Sequence, residues 1–210
     1  NNNGTNGCAT RVFTNENPII RDVTVRGHKN GKFVFAFIFT KSFDEDVVLE
    51  RCIFEENSFN TISEQSPDGG GAGIWIAQER SSVTPVTFTE CKFRNNYASL
   101  HGGAMAYGHS NTLKSIELTY QGCTFTDNIA GKTGGALWFN SESLIVIDDC
   151  EFSTNPLNDE ESSGNAIFCK ERTNIIITDS TLVNNGAKGS AIVFEGKSFN
   201  VIDTSIEFDL

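Results

Sequence analysis

Residues 123–137 read Cys-Thr-Phe-Thr-Asp-Asn-Ile-Ala-Gly-Lys-Thr-Gly-Gly-Ala-Leu. Two short motifs are joined there: Cys-x-Phe-x-x-Asn (Cys123, Phe125, Asn128) and Gly-Gly-Ala-aliphatic (Gly134, Gly135, Ala136, Leu137). The first recurs as Cys52/Phe54/Asn57, Cys91/Phe93/Asn96 and Cys150/Phe152/Asn155. Ser180/Leu182/Asn185 keeps its frame with weaker residues, and Thr204/Ile206 begins a sixth copy. The second recurs as Gly71-Ala72-Gly73-Ile74, Gly102-Gly103-Ala104-Met105, Gly164-Asn165-Ala166-Ile167 and Gly189-Ser190-Ala191-Ile192. Linked motifs that return five times in one order define a structural repeat.

Successive first motifs lie 24 to 39 residues apart, and the shortest interval fits one turn of a solenoid. Within a turn the apolar residues alternate with period two, as in Ile145-Val146-Ile147 and Cys150-Glu151-Phe152, while helical spacing is absent. Short strands joined by Gly- and Asn-rich bends predict an all-β fold, a right-handed parallel β-helix whose coils stack about 4.8 Å apart. Equivalent residues then form columns. Cys, Phe and the aliphatic residue after Gly-x-Ala are expected inside. The Ala residues, Trp75 and Trp138 are expected outside, and the Asn residues are expected to form a hydrogen-bonded ladder. Residues 1–47 break the motif frame and are expected to be an atypical N-terminal cap or irregular first coil. Residues 48–210 are expected to form the coils of one domain. The edge beginning at residue 200 lacks its next coil and is a candidate for self-association.

Composition agrees with this class. The chain has 210 residues with 17 Phe, 21 Asn and a single Met, a bias of turn-rich β proteins. Its longest apolar run, residues 33–39, is too short to cross a bilayer as a helix, so no membrane insertion of this chain is expected. A net charge of −11 without a Lys/Arg cluster argues against nucleic acid as partner. The sequence opens Asn1-Asn2-Asn3-Gly4 without Met or a basic-then-apolar leader, which is expected of a piece of something longer.

Phe-x-x-Asn paired with Gly-Gly-Ala-aliphatic resembles the repeat of the polymorphic outer membrane proteins, an autotransporter group of chlamydiae; similar repeats occur in surface proteins of some protists. The matches are Phe54–Asn57, Phe93–Asn96, Phe125–Asn128 and Phe152–Asn155, together with Gly102–Met105 and Gly134–Leu137. Gly164–Ile167 and Gly189–Ile192 depart at the second Gly, and Leu182 replaces a Phe. The resemblance covers about residues 48–210. It implies a surface-displayed β-helical passenger outside the cell, a non-enzymatic adhesin that binds a host cell-surface protein or glycan.

Three sets of residues invite chemistry. The Cys column reads either as a redox or metal ladder or as small buried hydrophobes. Asp149, Asp179 and Asp203 each precede the Cys position on consecutive coils. Calcium is the cation such hard oxygen ligands would take; alternatively each Asp caps a bend through local backbone bonds. Asp148-Asp149-Cys150 resembles the Asp-Asp-Cys stretch of polygalacturonases and raises a polysaccharide lyase or hydrolase. The Asn-Thr-Asp, Gly-His-Gly and Arg-Ile-Lys stretches are missing, and adjacent strand residues face opposite ways. A catalytic carboxylate pair needs one face and a separation of roughly 5–9.5 Å. His28, His101 and His109 share no metal-ligand spacing, and His101, at a bend, and His109, in a polar loop, read as exposed bystanders. Trp75 and Trp138, with Ala106 between them, read as an outward aromatic pair, either a contact platform or a surface covered by a loop. A purely structural spacer remains the third functional class.

Overall fold

A computed structural model of the chain describes residues 10–14, 18–29, 35–39, 47–60, 75–78, 85–108, 116–158, 164–170, 172–185 and 190–207. Among these residues there are strands and no helix. Two seven-stranded sheets run the length of the molecule. One, the long sheet, sets Ile19–Arg21, Val47–Glu50, Pro85–Thr89, Ile116–Gln121, Ser143–Asp148, Thr173–Thr178 and Ser198–Ile202 side by side. The other, the motif sheet, does the same with Thr24–Arg26, Ile53–Glu55, Lys92–Arg94, Thr124–Thr126, Glu151–Ser153, Thr181–Val183 and Ser205–Glu207. A third wall holds Met105–Gly108, Leu137–Asn140, Ile167–Cys169 and Ile192–Phe194. Every pairing between these neighbours is parallel, and the chain visits the walls in the same order on each circuit. The fold is a parallel β-helix.

Columns follow from the register. Phe54, Phe93, Phe125, Phe152 and Leu182 pair in one line, and Leu49, Phe88, Tyr120, Ile147 and Ile177 in another. All are buried, and with Cys52, Cys91, Cys123 and Cys150 they form one continuous core. Period-two alternation on a parallel strand sends one residue in two to that core, which is why the buried pattern of Ser143–Asp148 alternates strictly.

Two single-residue corners bound each motif strand. Asp22, Arg51, Glu90, Gly122, Asp149, Asp179 and Asp203 turn the chain from the long sheet into the motif sheet, all with φ between 48° and 60°. Gly27, Glu56, Asn95, Asp127, Thr154 and Asn184 turn it out again with φ between 51° and 69°. A left-handed residue is disfavoured for any side chain but Gly, least so for Asn and Asp. Among the described residues the coil imposes it at the same two places on successive circuits.

Two expectations need correction. The motif frame does not begin at residue 48, because Thr24–Arg26 pairs with Ile53–Glu55 and sets Val25 beside Phe54. Val23 and Val25 stand where later coils have Cys and Phe, so apolar shape preserves the coil without the motif. The Ala residues are not outside either: Ala104, Ala136, Ala166 and Ala191 are buried in the main core. The strands start only at Met105, Leu137, Ile167 and Ile192, so alternation does not carry back through the bend before them.

Candidate functional site

The motif residues assemble into three interior ladders. Phe54, Phe93, Phe125 and Phe152 stack face to face with ring centroids 5.1, 4.8 and 4.5 Å apart. Phe88 and Tyr120 stack beside them at 4.9 Å and meet Phe93 and Phe125 edge-on. Parallel pairing leaves identical rings no offset except the coil rise, so equal rotamers produce a continuous pile. The Tyr120 hydroxyl, enclosed by this core, donates to Met105 Sδ at 2.8 Å. Burial raises the Tyr120 phenol well above its ordinary value.

Just past the second corner, Asn57, Asn96, Asn128, Asn155 and Asn185 form the second ladder, all buried. From Asn96 onward each side-chain oxygen accepts from the backbone N–H of the preceding rung, from Asn57 on Asn96 to Asn155 on Asn185, and Asn57 Oδ1 accepts from His28 N–H. Each Nδ2 of the first four donates to the next rung's oxygen. Nδ2 also donates to a carbonyl of the preceding coil, as from Asn96 to Phe54 and from Asn155 to Phe125. Asn alone offers two donors and an acceptor in so short a side chain.

The Cys column is the third ladder. Cys52, Cys91, Cys123 and Cys150 carry free thiols, each directed at the carbonyl two residues before it, as in Cys123 to Gln121 and Cys150 to Asp148. Cys150 Sγ also accepts the Cys123 backbone N–H. Ser180 does both jobs one coil later: its Oγ donates to the Thr178 carbonyl at 2.7 Å and accepts from Cys150 N–H at 3.1 Å. These thiols act as hydrogen-bonding groups at the corner, beyond filling space. Hydrogen bonding with Cys150 and Cys91, together with burial, pushes the Cys123 thiol far up. Burial raises Cys169, outside the column, to about 12.

The Gly-Gly-Ala bends are backbone devices. Gly134 has φ 62°, and a Cβ there would lie 2.2 Å from the Leu137 carbonyl oxygen. At Gly103 a Cβ would lie 2.2 Å from the Gly135 oxygen on the next coil. Gly102 and Gly135 are equally enclosed, while Ala104, Met105, Ala136 and Leu137 fill the core behind them.

Trp138 is outward but covered. It is 8% exposed and clusters with Ala106 and Phe168. His101 lies flat on it, centroids 4.7 Å apart and 10° from parallel, with Nδ1 2.6 Å from Thr133 Oγ1. His101 therefore helps to cover Trp138 and is not a bystander. The Trp75 side chain and His109 lie outside the described residues, as do Gly71–Ile74 and residues 61–70 and 159–163.

Asp149, Asp179 and Asp203 all sit at left-handed corners and are exposed. Among the described residues no group of three or more His, Cys, Asp or Glu is arranged to hold a metal. Asp149 and Asp179 border an open groove of about 340 Å³ with Glu151, Thr124 and Thr181, where Gly122 leaves the corner row without a side chain. Asp148 accepts from Thr178 Oγ1 at 2.6 Å and is only partly exposed, in contrast to its neighbour Asp149.

The first coils carry an ion ladder outside the motif residues. Arg26, Glu55 and Arg94 fill one outward column, with Glu55 held by Arg94 at 2.5 Å and by Arg26 at 3.5 Å. Arg51 forms a bidentate pair with Asp22 at 2.8 and 3.0 Å and also contacts Glu50, which Arg21 reaches too. The alternation is visible once Val25 is aligned with Phe54.

Residues 122–140, one corner through to the third wall, match the family model of the Chlamydia polymorphic membrane protein repeat. No curated protein and no solved structure matches the chain.

Proposed function

We propose that the chain is a surface-displayed, non-enzymatic β-helical stalk, located outside the cell, whose segments beyond the coil frame bind a host cell-surface protein or glycan. The match of residues 122–140 to a membrane protein repeat supports display at the cell surface. The observation that carries the binding half of the reading is burial. Phe54, Phe93, Phe125 and Phe152 and the Asn rungs beside them are closed off, so the repeat signature itself cannot touch a partner. Contact is left to what the coils hold out to solvent. Insertions on a rigid scaffold are the usual carriers of recognition.

Replacing residues 61–70 and 159–163 with short Gly/Ser links tests the proposal. Host-cell binding should disappear while the melting temperature stays within a few degrees of the parent. Undiminished binding by the loop-replaced chain would overturn the assignment to those segments.

A further inference from the structure

The Cys column comes closest to solvent where Gly122 interrupts the row of corner side chains. The open groove there is bordered by Asp149, Glu151 and Asp179, and its lining includes Cys123 and Cys150. Cys150 is 3% exposed, while Cys52, Cys91 and Cys123 are fully enclosed. A Cβ on Gly122 would meet nothing nearer than the Glu90 side chain at 3.6 Å, so the opening is the space a corner side chain would fill.

Cys123 and Cys150 are adjacent rungs of that column. They precede Thr124 and Glu151, which pair in register, and the Cys123 backbone N–H donates to Cys150 Sγ at 3.4 Å. Both side chains point the same way. Each thiol is directed at the carbonyl two residues before it and at one on the preceding coil, Phe88 for Cys123 and Tyr120 for Cys150. Like rotamers on parallel neighbours set the sulfurs apart by about the coil spacing, roughly 4.8 Å. Two metal–thiolate bonds of about 2.3 Å laid end to end span about 4.6 Å. Soft cations of the Cu(I) class take thiolate ligands. Two in line suffice for such an ion, so the lack of a three-residue metal cluster among the described residues does not bear on it.

We propose that the chain binds one soft monovalent cation of the Cu(I) class between Cys123 Sγ and Cys150 Sγ, admitted through the groove at Gly122. Asp149, Glu151 and Asp179 draw the cation to the mouth. Each S–H bond is exchanged for an S–metal bond, both protons leave through the groove to water, and no oxidation state changes. The bound unit carries one negative charge, which the Cys123 N–H already aimed at Cys150 Sγ offsets. Hydrogen bonding with Cys123 lowers the Cys150 thiol from its ordinary value, so the first proton leaves from Cys150. The inference is independent of host-cell binding, which rests on segments beyond the coil frame.

Silver(I), a redox-stable member of the class, tests it. The reduced 210-residue chain is loaded in chloride-free buffer, dialysed against a monothiol that strips singly held ions, and weighed by native mass spectrometry. The parent and Cys52→Ser should each keep one silver ion, with a thiolate-to-metal band in the ultraviolet. Cys123→Ser and Cys150→Ser should keep none. Gly122→Asn fills the corner without touching either sulfur and should slow loading several-fold. Circular dichroism checks strand content; if Cys123→Ser loses it, Cys150→Ser decides, since Ser180 already makes the same bonds one coil later. A parent that keeps no silver, retention by Cys150→Ser, or loading of Gly122→Asn at the parent's rate would overturn the proposal.

Discussion

Asn128 donates its side-chain amide to Asn155 Oδ1 at 3.0 Å on the following coil and to the Phe93 carbonyl at 2.9 Å on the preceding one. Its oxygen accepts from Asn96 at both N–H and Nδ2. One buried amide therefore ties three coils, and its loss orphans donors on one side and acceptors on the other. Asn128→Ala should cost at least about 1–3 kcal/mol, the range for one unsatisfied buried group. Asn128→Asp should cost more, since it removes both donors and buries a charge. Urea unfolding of the two variants checks the order.

Phe125 has a ring on each side, 4.8 Å from Phe93 and 4.5 Å from Phe152, with Tyr120 edge-on. Phe125→Ala should lower stability by about 3–5 kcal/mol, as for other buried aromatic truncations. In a solenoid a damaged coil weakens both of its interfaces, so hydrogen exchange should accelerate on both flanking coils.

Gly122 and Gly134 both have positive φ, yet they predict opposite outcomes. A Cβ at Gly122 meets nothing nearer than 3.6 Å, and Asp149 and Asp179 hold the equivalent corners. Gly122→Asn should change stability by less than about 1 kcal/mol, the usual scale of a glycine's conformational entropy. Gly134→Ala forces a Cβ onto the Leu137 carbonyl and should destabilise by more than the roughly 1–3 kcal/mol of backbone strain alone. Thermal melts of the pair separate space from backbone angle.

Cys150→Ser should keep the corner bond, because Ser180 already makes it, whereas Cys150→Ala leaves Cys123 N–H without its acceptor. The Ala variant should be weaker by about 1–3 kcal/mol, the cost of an orphaned buried donor. A thiol reagent should label the native column only after unfolding; rapid native labelling would contradict its burial.

Acid should loosen the first coils first. Hydrogen bonds from Arg51, Arg21 and Arg26 hold Asp22, Glu50 and Glu56, respectively, below the ordinary values of 3.8 and 4.5. A carboxylate depressed in the folded state contributes stability that is complete above its unfolded value. That contribution is lost as pH falls through the folded one. The melting temperature should stay level down to about pH 5 and then decline, less steeply in Arg51→Gln. An equally steep decline in that variant would remove the ion ladder as the cause.

The ladders were legible because their residue types are nearly invariant and their spacing is short: Cys-x-Phe-x-x-Asn shows its inward side chains in six residues. The corners were not legible. Positions 51, 90, 122 and 149 hold Arg, Glu, Gly and Asp, and nothing in that set announces a shared left-handed angle, which closure of the coil imposes. The N-terminal coil reads in the sequence only as a cap or irregular first coil because Val23 and Val25 replace Cys and Phe, so only pairing reveals its frame. Ala136 was misplaced because alternation was carried through a bend that is not a strand. The stacking of His101 on Trp138 joins neighbouring coils, and no local pattern encodes it.

The fixed corners give the molecule the character of a graduated rod. Circuits differ by as many as fifteen residues, between spacings of 24 and 39, yet Lys92–Arg94, Thr124–Thr126 and Glu151–Ser153 remain in step. Surplus residues are therefore discharged between frames without disturbing the rungs. A foreign peptide spliced between residues 60 and 75, or between 158 and 164, would be held at a chosen height, with rungs about 4.8 Å apart. Several such peptides could be mounted in a defined vertical order, making the chain a programmable display rack for epitopes or enzymes.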